Sequence, residues 1–314
     1  MGGILYNSSG LPTFTLTGLP GLENSQHWMF LLLGTLYIVS IVGNGLILFI
    51  VKEAQSLHQP MYYFLSLPSV NDLGVSFSTL PNVLATFCFH LRKISFDSCM
   101  VQMFFFHFCS LMQSGVLLVM SFDRYVAISN PLCYTTMLKD FRVICMAPQV
   151  ITRSFCMVFP LPFLLKRLTF CKASVLSHAY CLHSDLIHLP SDDITINNIF
   201  GLIIVMSIFC LVSVLIVFSL ELILCSVLAI ASQEERLKTL NTCVSHLCAV
   251  LIFYVPMVGV SMTARDGRHA PGFVHTVLSL IYLFVPPMLN PVIYSIKTKE
   301  IRRRLVRMLV GTKF

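Results

Sequence analysis

Seven long apolar stretches govern what this chain can become. Windows without a single Asp, Glu, Lys or Arg run over residues 28–51, 98–122, 194–220, 239–264 and 269–296, and two further windows hold one charge each: Asp72 between Met61 and Leu84, and Arg153 between Val143 and Leu165. A helix rises ~1.5 Å per residue, so about 20 residues cross the ~30 Å of hydrocarbon in a bilayer. With 56% hydrophobic side chains against 11% charged ones over 314 residues, the chain cannot clothe one core in a water-facing surface. These features predict an all-α membrane protein, a seven-transmembrane helix bundle over 28–51, 61–84, 99–128, 142–165, 194–230, 238–263 and 273–296.

An odd number of spans puts the two termini on opposite sides, and the Lys/Arg distribution chooses between them. Residues 1–27 carry no Lys or Arg, whereas 297–314 carry Lys297, Lys299, Arg302, Arg303, Arg304, Arg307 and Lys313. The N-terminal tail is therefore expected outside and the basic tail in the cytoplasm. Ile301, Leu305, Met308 and Leu309 recur at helical intervals opposite the arginines, which predicts a short amphipathic cytoplasmic helix lying on the membrane. Directly after a membrane span such a tail is a lipid-headgroup anchor rather than a nucleic-acid patch. Residues 1–20 lack the basic start and apolar run of a cleavable signal, so the first span is expected to direct insertion. Asn7-Ser8-Ser9 is an N-glycosylation acceptor in the outer tail.

Of twelve cysteines, nine fall within or near the ends of the predicted helices and read as small buried hydrophobes. Cys99, Cys171 and Cys181 face the oxidising side, where a Cys99–Cys181 bond would pin the long loop 166–193 over the bundle mouth. Cys243, His246 and Cys248 spread around a helix in no known ligand spacing, so no metal is expected. No internal repeat is present, which argues against most transporter folds.

Ionisable and amide side chains at bilayer depth are costly and need a purpose. Asn44, Asp72 and Asn290 lie in the middle or inner half of the first, second and seventh spans, either as helix-bridging glue or as a cation site. Pro291 frees a backbone carbonyl near the cytoplasmic end of the last span and makes a hinge. Asp123-Arg124 closes the third span at the same depth, where Asp can hold Arg in one state and release it in another.

The ordered set of motifs resembles the rhodopsin-like G-protein-coupled receptors, and within them the odorant receptors. It comprises Leu57-His58-Gln59-Pro60-Met61-Tyr62-Tyr63-Phe64-Leu65, Asp123-Arg124-Tyr125-Val126-Ala127-Ile128 with Asn130-Pro131-Leu132, Thr242-Cys243-Val244-Ser245-His246-Leu247, and Pro287-Met288-Leu289-Asn290-Pro291-Val292-Ile293-Tyr294-Ser295. Phe170-Cys171-Lys172, Tyr180-Cys181-Leu182-His183 and Phe253-Tyr254-Val255-Pro256-Met257 are similar to the fish-like, or class I, branch, whose members tend to recognise polar odorants such as carboxylic acids. The resemblance implies a plasma-membrane receptor of olfactory cilia without catalytic activity. It also implies ligand-triggered outward movement of the sixth span, an olfactory-type stimulatory heterotrimeric G protein as partner and a rise in cyclic AMP. It assigns Asp123, Arg124, Tyr294 and Pro291 to the switch and Asn44, Asp72 and Asn290 to the central polar site. A channel or transporter, and a folded receptor that no longer couples, are the competing readings.

Departures from that pattern qualify it. Gln113 stands where an acid is usual, weakening any cation site at Asp72; Ser191 replaces a cysteine and leaves Cys171 without its usual partner. Leu220-Glu221 replaces Ser-Tyr, Asp266 replaces an apolar aromatic, and Pro68 and Ser121 are further differences.

The seventh span has no lysine for a retinal Schiff base, so no cofactor is expected. The outer half of the third span, Cys99 to Leu111, has no carboxylate to pair with an amine ligand. Arg265 lies one turn beyond Ser261, on the same face, and guanidinium is the group best shaped to grip a carboxylate. Arg265 reads either as that ligand partner or as a loop charge paired with Asp266; His107 and Ser110, one turn apart, either bind the same ligand or serve the core. Arg153 competes as an anion partner, and Phe106, Met206 and Phe253 are expected to meet the apolar part of the ligand.

Overall fold

A computed structural model describes residues 13–17, 26–54, 60–89, 91–129, 140–170, 173–176, 180–229, 232–265 and 272–310. Along the chain run β1 (Thr13–Leu16), α1 (Gln26–Glu53), α2 (Pro60–Cys88), β2 (Lys93–Ser95), α3 (Phe96–Ser129), α4 (Asp140–Val158), α5 (Pro160–Lys166) and β3 (Ala173–Leu176). There follow α6 (His183–Leu186), α7 (Thr195–Ala229), α8 (Gln233–Arg265), α9 (Gly272–Lys297) and α10 (Lys299–Val310). The span foreseen over 142–165 is thus two helical pieces, interrupted at Phe159, because Pro160 and Pro162 open the second piece without backbone donors.

Six of these segments are long and apolar enough to cross a membrane: Phe30–Glu53, Phe96–Phe122, Met146–Lys166, Thr195–Leu222, Leu247–Arg265 and Val274–Ile293. The seventh crossing is α2, 29 residues long but diluted by polar side chains. Those side chains turn inward: Ser69, Asn71, Asp72, Ser76 and Thr79 are buried, while Val70 and Phe77 face out. Four of the five, all but Ser69, bond to a neighbouring helix. The Tyr37 hydroxyl donates to Thr79 Oγ1 at 2.9 Å, Ser40 and Ser76 share a bond of 3.2 Å, and Asn71 Nδ2 donates to Gln113 Oε1 at 3.3 Å. Large apolar side chains such as Leu31, Ile38, Val42 and Phe49 of α1 are exposed, the reverse of a water-soluble fold and the pattern that hydrocarbon selects.

α1 packs on α2, α2 on α3, α3 on α4 and α7, α7 on α8, and α8 on α9, which returns to α1 and α2 and closes the bundle. Where α3 meets α4, a Cβ at Gly115 would overlap Val150, so glycine sets how closely the two approach. α10 docks through Ile301, fully buried against Ile47, Ile50 and Val51 of α1 and Val116 and Met120 of α3.

One end of the bundle carries an addition to the helical plan, a three-stranded sheet of order β2-β1-β3. β1 runs antiparallel to β2, pairing Phe14 with Ile94, and parallel to β3, pairing Phe14 with Ser174. Phe14 has no exposed surface and packs its ring on Phe96 and Phe170. The same end carries the disulfide Cys99–Cys181, which ties the loop after α5 to the first turn of α3.

Candidate functional site

Beneath that loop lies a cavity of about 780 Å³ of empty space, its open mouth included, walled by α3, α4, α5, the loop helix α6, α7, α8 and α9. Arg265, Ser261, His107 and Ser110 all line it. Helical spacing explains the convergence. Met257, Ser261 and Arg265 follow one another at four-residue steps down one face of α8, and His107, Ser110 and Leu111 form one face of α3. On α7, Gly201, Ile204, Val205 and Ile208 repeat the same pattern.

The polar end belongs to Arg265. Its Nε donates to Asn198 Oδ1 at 3.2 Å, which orients the guanidinium, and its Nη1 has no hydrogen-bond partner among the described residues. Gly201 makes the adjoining wall: a Cβ there would meet Arg265 Nη2 at 3.2 Å and His183 Cε1 at 3.3 Å. His183 also has a buried, unpartnered ring nitrogen, Nε2. Its backbone N–H donates to His107 Nε2 at 3.4 Å, so the neutral His107 ring carries its proton on Nδ1. Burial pushes the His183 imidazole down to about 3, aided by the fields of His107, Arg265 and His188, so it is uncharged at neutral pH. Ser261 donates to Met257 O and Ser110 to Phe106 O, both at 2.9 Å, leaving hydroxyl lone pairs as acceptors. Among the described lining residues Arg265 alone holds a permanent charge, and the remaining walls are Leu, Ile, Val and Met with Ser184 and with Tyr282 beside Ser110. Such a site suits a small ligand with one anionic or strongly accepting end and an aliphatic body.

Three expected contacts are corrected. Phe106, Met206 and Phe253 do not line the cavity: Met206 points outward from α7, while Phe106 meets Tyr282 edge-on and Phe253 meets it tilted, in the packing below. Arg153 does not line it either. His183 and Gly201 are the residues that sequence reasoning missed. The signal for His183 was its position two residues beyond Cys181, whose bond to α3 fixes where it must sit.

Deeper in the bundle, Asn290 Nδ2 donates to Asp72 Oδ2 at 2.8 Å, and Asn44 Nδ2 donates to Ser40 O and Pro287 O, both at 2.9 Å. The three predicted central residues thus join α1, α2 and α9, and a small cavity beside Asp72 is lined also by Asn71 and Gln113. Gln113 is engaged with Asn71. Pro291 is buried against Gly43, where a Cβ would lie 3.1 Å from the proline ring. Ser121 is buried and donates to Leu117 O, while Phe122, Leu220 and Glu221 are exposed. The side chains of Asp123, Arg124 and Tyr294, and residues Asn7, Cys171 and Asp266, lie outside the described part of the structure.

Comparison with known proteins accounts for this architecture. The family model for olfactory receptors matches residues 33–312. The chain is 54% identical over 304 residues to human olfactory receptor 51I2, covering 97% of each chain, and 53% identical over 295 residues to human olfactory receptor 51I1, covering 94% of each. It is also 48% identical over 305 residues to human olfactory receptor 51G2, covering 96% of this chain and 97% of that one. With an olfactory-receptor match over nearly its whole length and a helical bundle enclosing a small-ligand cavity, the chain belongs to the class I olfactory receptors, multi-pass G-protein-coupled receptors for small-molecule odorants that are not enzymes.

Proposed function

We infer that the odorant is a small carboxylic acid, or an odorant with an equally strong acceptor end, held with its polar end at Arg265. The observation that carries this is the Nη1 of a guanidinium, without a hydrogen-bond partner among the described residues, at one end of a mostly apolar cavity. A guanidinium with an uncommitted donor facing a cavity is ready to take a carboxylate, whose two oxygens match its planar fork. Ser261, His107, Ser110, Ser184 and Tyr282 add to the polar lining, and His183 brings a second nitrogen with no partner among the described residues.

In this reading the N-terminus and its glycosylated Asn7 are outside, and Arg265 opens to the outer medium. Ligand binding moves α8 at its cytoplasmic end, with Asp123, Arg124, Tyr294 and Pro291 as the switch and Asn44, Asp72 and Asn290 as the polar pivot. A stimulatory olfactory-type G protein then raises cyclic AMP at the ciliary plasma membrane, where the Lys/Arg-rich α10 rests on lipid headgroups. Exposed Arg302, Arg303 and Arg307 on α10, opposite the buried Ile301, support that last placement.

A cyclic-AMP screen of carboxylic acids of graded chain length, on wild type and Arg265→Ala at matched surface expression, tests the reading. Activation of wild type by an acid, with loss in the variant, is expected; equal activation of both overturns the role of Arg265.

A further inference from the structure

Between α2 and α3, at the end of the bundle that carries the sheet and the disulfide, lies a second opening, a groove of about 790 Å³ of space with its open side included. Asp97 and Ser98, in the first turn of α3, line it together with Asn82 near the end of α2. The apolar segment of α3 starts at Phe96, so these three groups stand at the level of lipid headgroups. Val101 and Phe105 follow Asp97 at four-residue steps down one face of α3, and at ~1.5 Å per residue they reach about 12 Å towards the hydrocarbon. Both are exposed, as is Phe77 on the facing wall of α2. The groove is therefore polar at one end and apolar at the other, in the order of a lipid molecule standing beside the protein.

The polar end offers groups of opposite capacity. Among the described residues neither the Asp97 carboxylate nor the Asn82 side-chain amide has a hydrogen-bond or ion-pair partner. Ser98 Oγ accepts the Ser95 hydroxyl at 2.8 Å and keeps its own proton to give. Asp97 only accepts, whereas the Ser98 hydroxyl and the Asn82 nitrogen donate. An anion beside two donors matches a head that carries both signs, with an ammonium for Asp97 and phosphodiester oxygens for Ser98 and Asn82. A head of net negative charge sets itself against Asp97, and Arg92 and Lys93, the nearest cations in sequence, do not line the groove. A sterol brings one hydroxyl for three polar groups.

The floor ties the groove to the odorant cavity. Ser78 and Gln102 line it between the two ends. Gln102 is buried; its Nε2 donates to Ser78 O at 3.2 Å, and its Oε1 accepts the Cys181 N–H at 3.0 Å. Leu182 and His183, the next residues of that loop, line the odorant cavity. One side chain thus separates the groove from the loop that covers the ligand.

We propose that this groove binds one phospholipid with a zwitterionic head, its ammonium at Asp97, its phosphate at Ser98 and Asn82, and an acyl chain along Val101, Phe105 and Phe77. The bound lipid keeps water from the two Gln102 bonds and so steadies the attachment of the loop to the bundle.

Photocross-linking of the full receptor in nanodiscs tests the site, and no odorant enters, so the result stands apart from the ligand reading. p-Benzoylphenylalanine placed at Phe77 reports the groove, and the same group placed at Phe209, exposed on α7, reports the bulk bilayer. The discs hold equal parts of phosphatidylcholine and phosphatidylglycerol with a minor share of cholesterol, and adducts are identified by mass. An exposed ion pair shifts an equilibrium by up to about fivefold. The ratio of phosphatidylcholine to phosphatidylglycerol adducts should accordingly be about threefold higher at Phe77 than at Phe209. Asp97→Asn should bring the two ratios together, Asp97→Lys should invert the preference, and Asp97→Glu, which keeps the charge, should retain it. Equal ratios at the two positions in wild type, or an unchanged ratio in Asp97→Asn, overturn the proposal. So does a predominance at Phe77 of cholesterol adducts, which makes the groove a sterol site, or of receptor dimers, which makes it a contact between copies.

Discussion

Asn198 Oδ1 on α7 accepts a hydrogen bond from Arg265 Nε on α8 at 3.2 Å, and this bond aims the rest of the guanidinium into the cavity. Removing the acceptor leaves the charge in place but frees its orientation. Hydrogen bonds to charged groups contribute about 1.5–3 kcal/mol, and 1.4 kcal/mol is about tenfold in affinity. Asn198→Ala should raise the half-maximal concentration of an activating acid by about tenfold, less than Arg265→Ala does, in a dose–response measurement corrected for surface expression.

Gly201 is the wall between Arg265 and His183, and a Cβ there would stand 3.2 Å from the first and 3.3 Å from the second. A methyl group forces the guanidinium to shift by a few tenths of an ångström, and a larger side chain displaces it. Gly201→Ala should reduce potency for acids, and Gly201→Val should abolish the response while surface staining remains. Full response in Gly201→Val would show that Arg265 does not bind at this position.

His183 gives docking of the loop helix α6, which forms a lid over the cavity, an acid limit. Its docked value is pushed down to about 3, below the ordinary ~6.5 of histidine. For a base whose neutral form is favoured, the stabilisation is complete above the undocked value and is lost as pH falls from about 6.5 towards 3. Lid protection in hydrogen exchange should therefore fall on strong acidification, and His183→Gln should flatten that acid limb.

The Asn290 amide donates to Asp72 Oδ2 at 2.8 Å in full burial and joins α9 to α2. Asp72→Ala strands that amide at a cost of about 1–3 kcal/mol, whereas Asp72→Asn retains an oxygen to accept it. Thermal unfolding in detergent should therefore rank the three proteins wild type, Asp72→Asn, Asp72→Ala in falling order.

The disulfide Cys99–Cys181 closes a sequence separation of 82 residues. Chain-entropy reasoning puts an upper limit of about 4.5 kcal/mol on its contribution, reduced here because inserted helices restrain the unfolded chain. Cys181→Ser should lower the thermal midpoint and lose the odorant response, because it releases the segment that carries His183 and Asp185.

The helices, and which polar groups turn inward, were legible because hydrocarbon admits so few arrangements. Asp72 and Asn290 had no tolerable place but the interior, and they meet there. Ser261 and Arg265 were legible from four-residue spacing alone. The apolar lining was not. α7 is apolar on every side, so nothing in its sequence distinguishes Ile204, Val205 and Ile208, which face the cavity, from Met206, which faces out. His183 was hidden for another reason: its place depends on a covalent tie to a helix far away in sequence.

The parallel pairing of β1 with β3 bears on how the receptor is made. Thr17 Oγ1 donates to Leu176 O across a separation of 159 residues, with four membrane crossings between the partners. Contacts so remote in sequence form late. The strand made first can pair with β2 once α2 is in place, but its other edge must wait until the loop carrying β3 has been made. The mouth of the cavity is therefore among the last parts of the receptor to be finished, and a nascent chain stalled before α5 has no odorant site to offer.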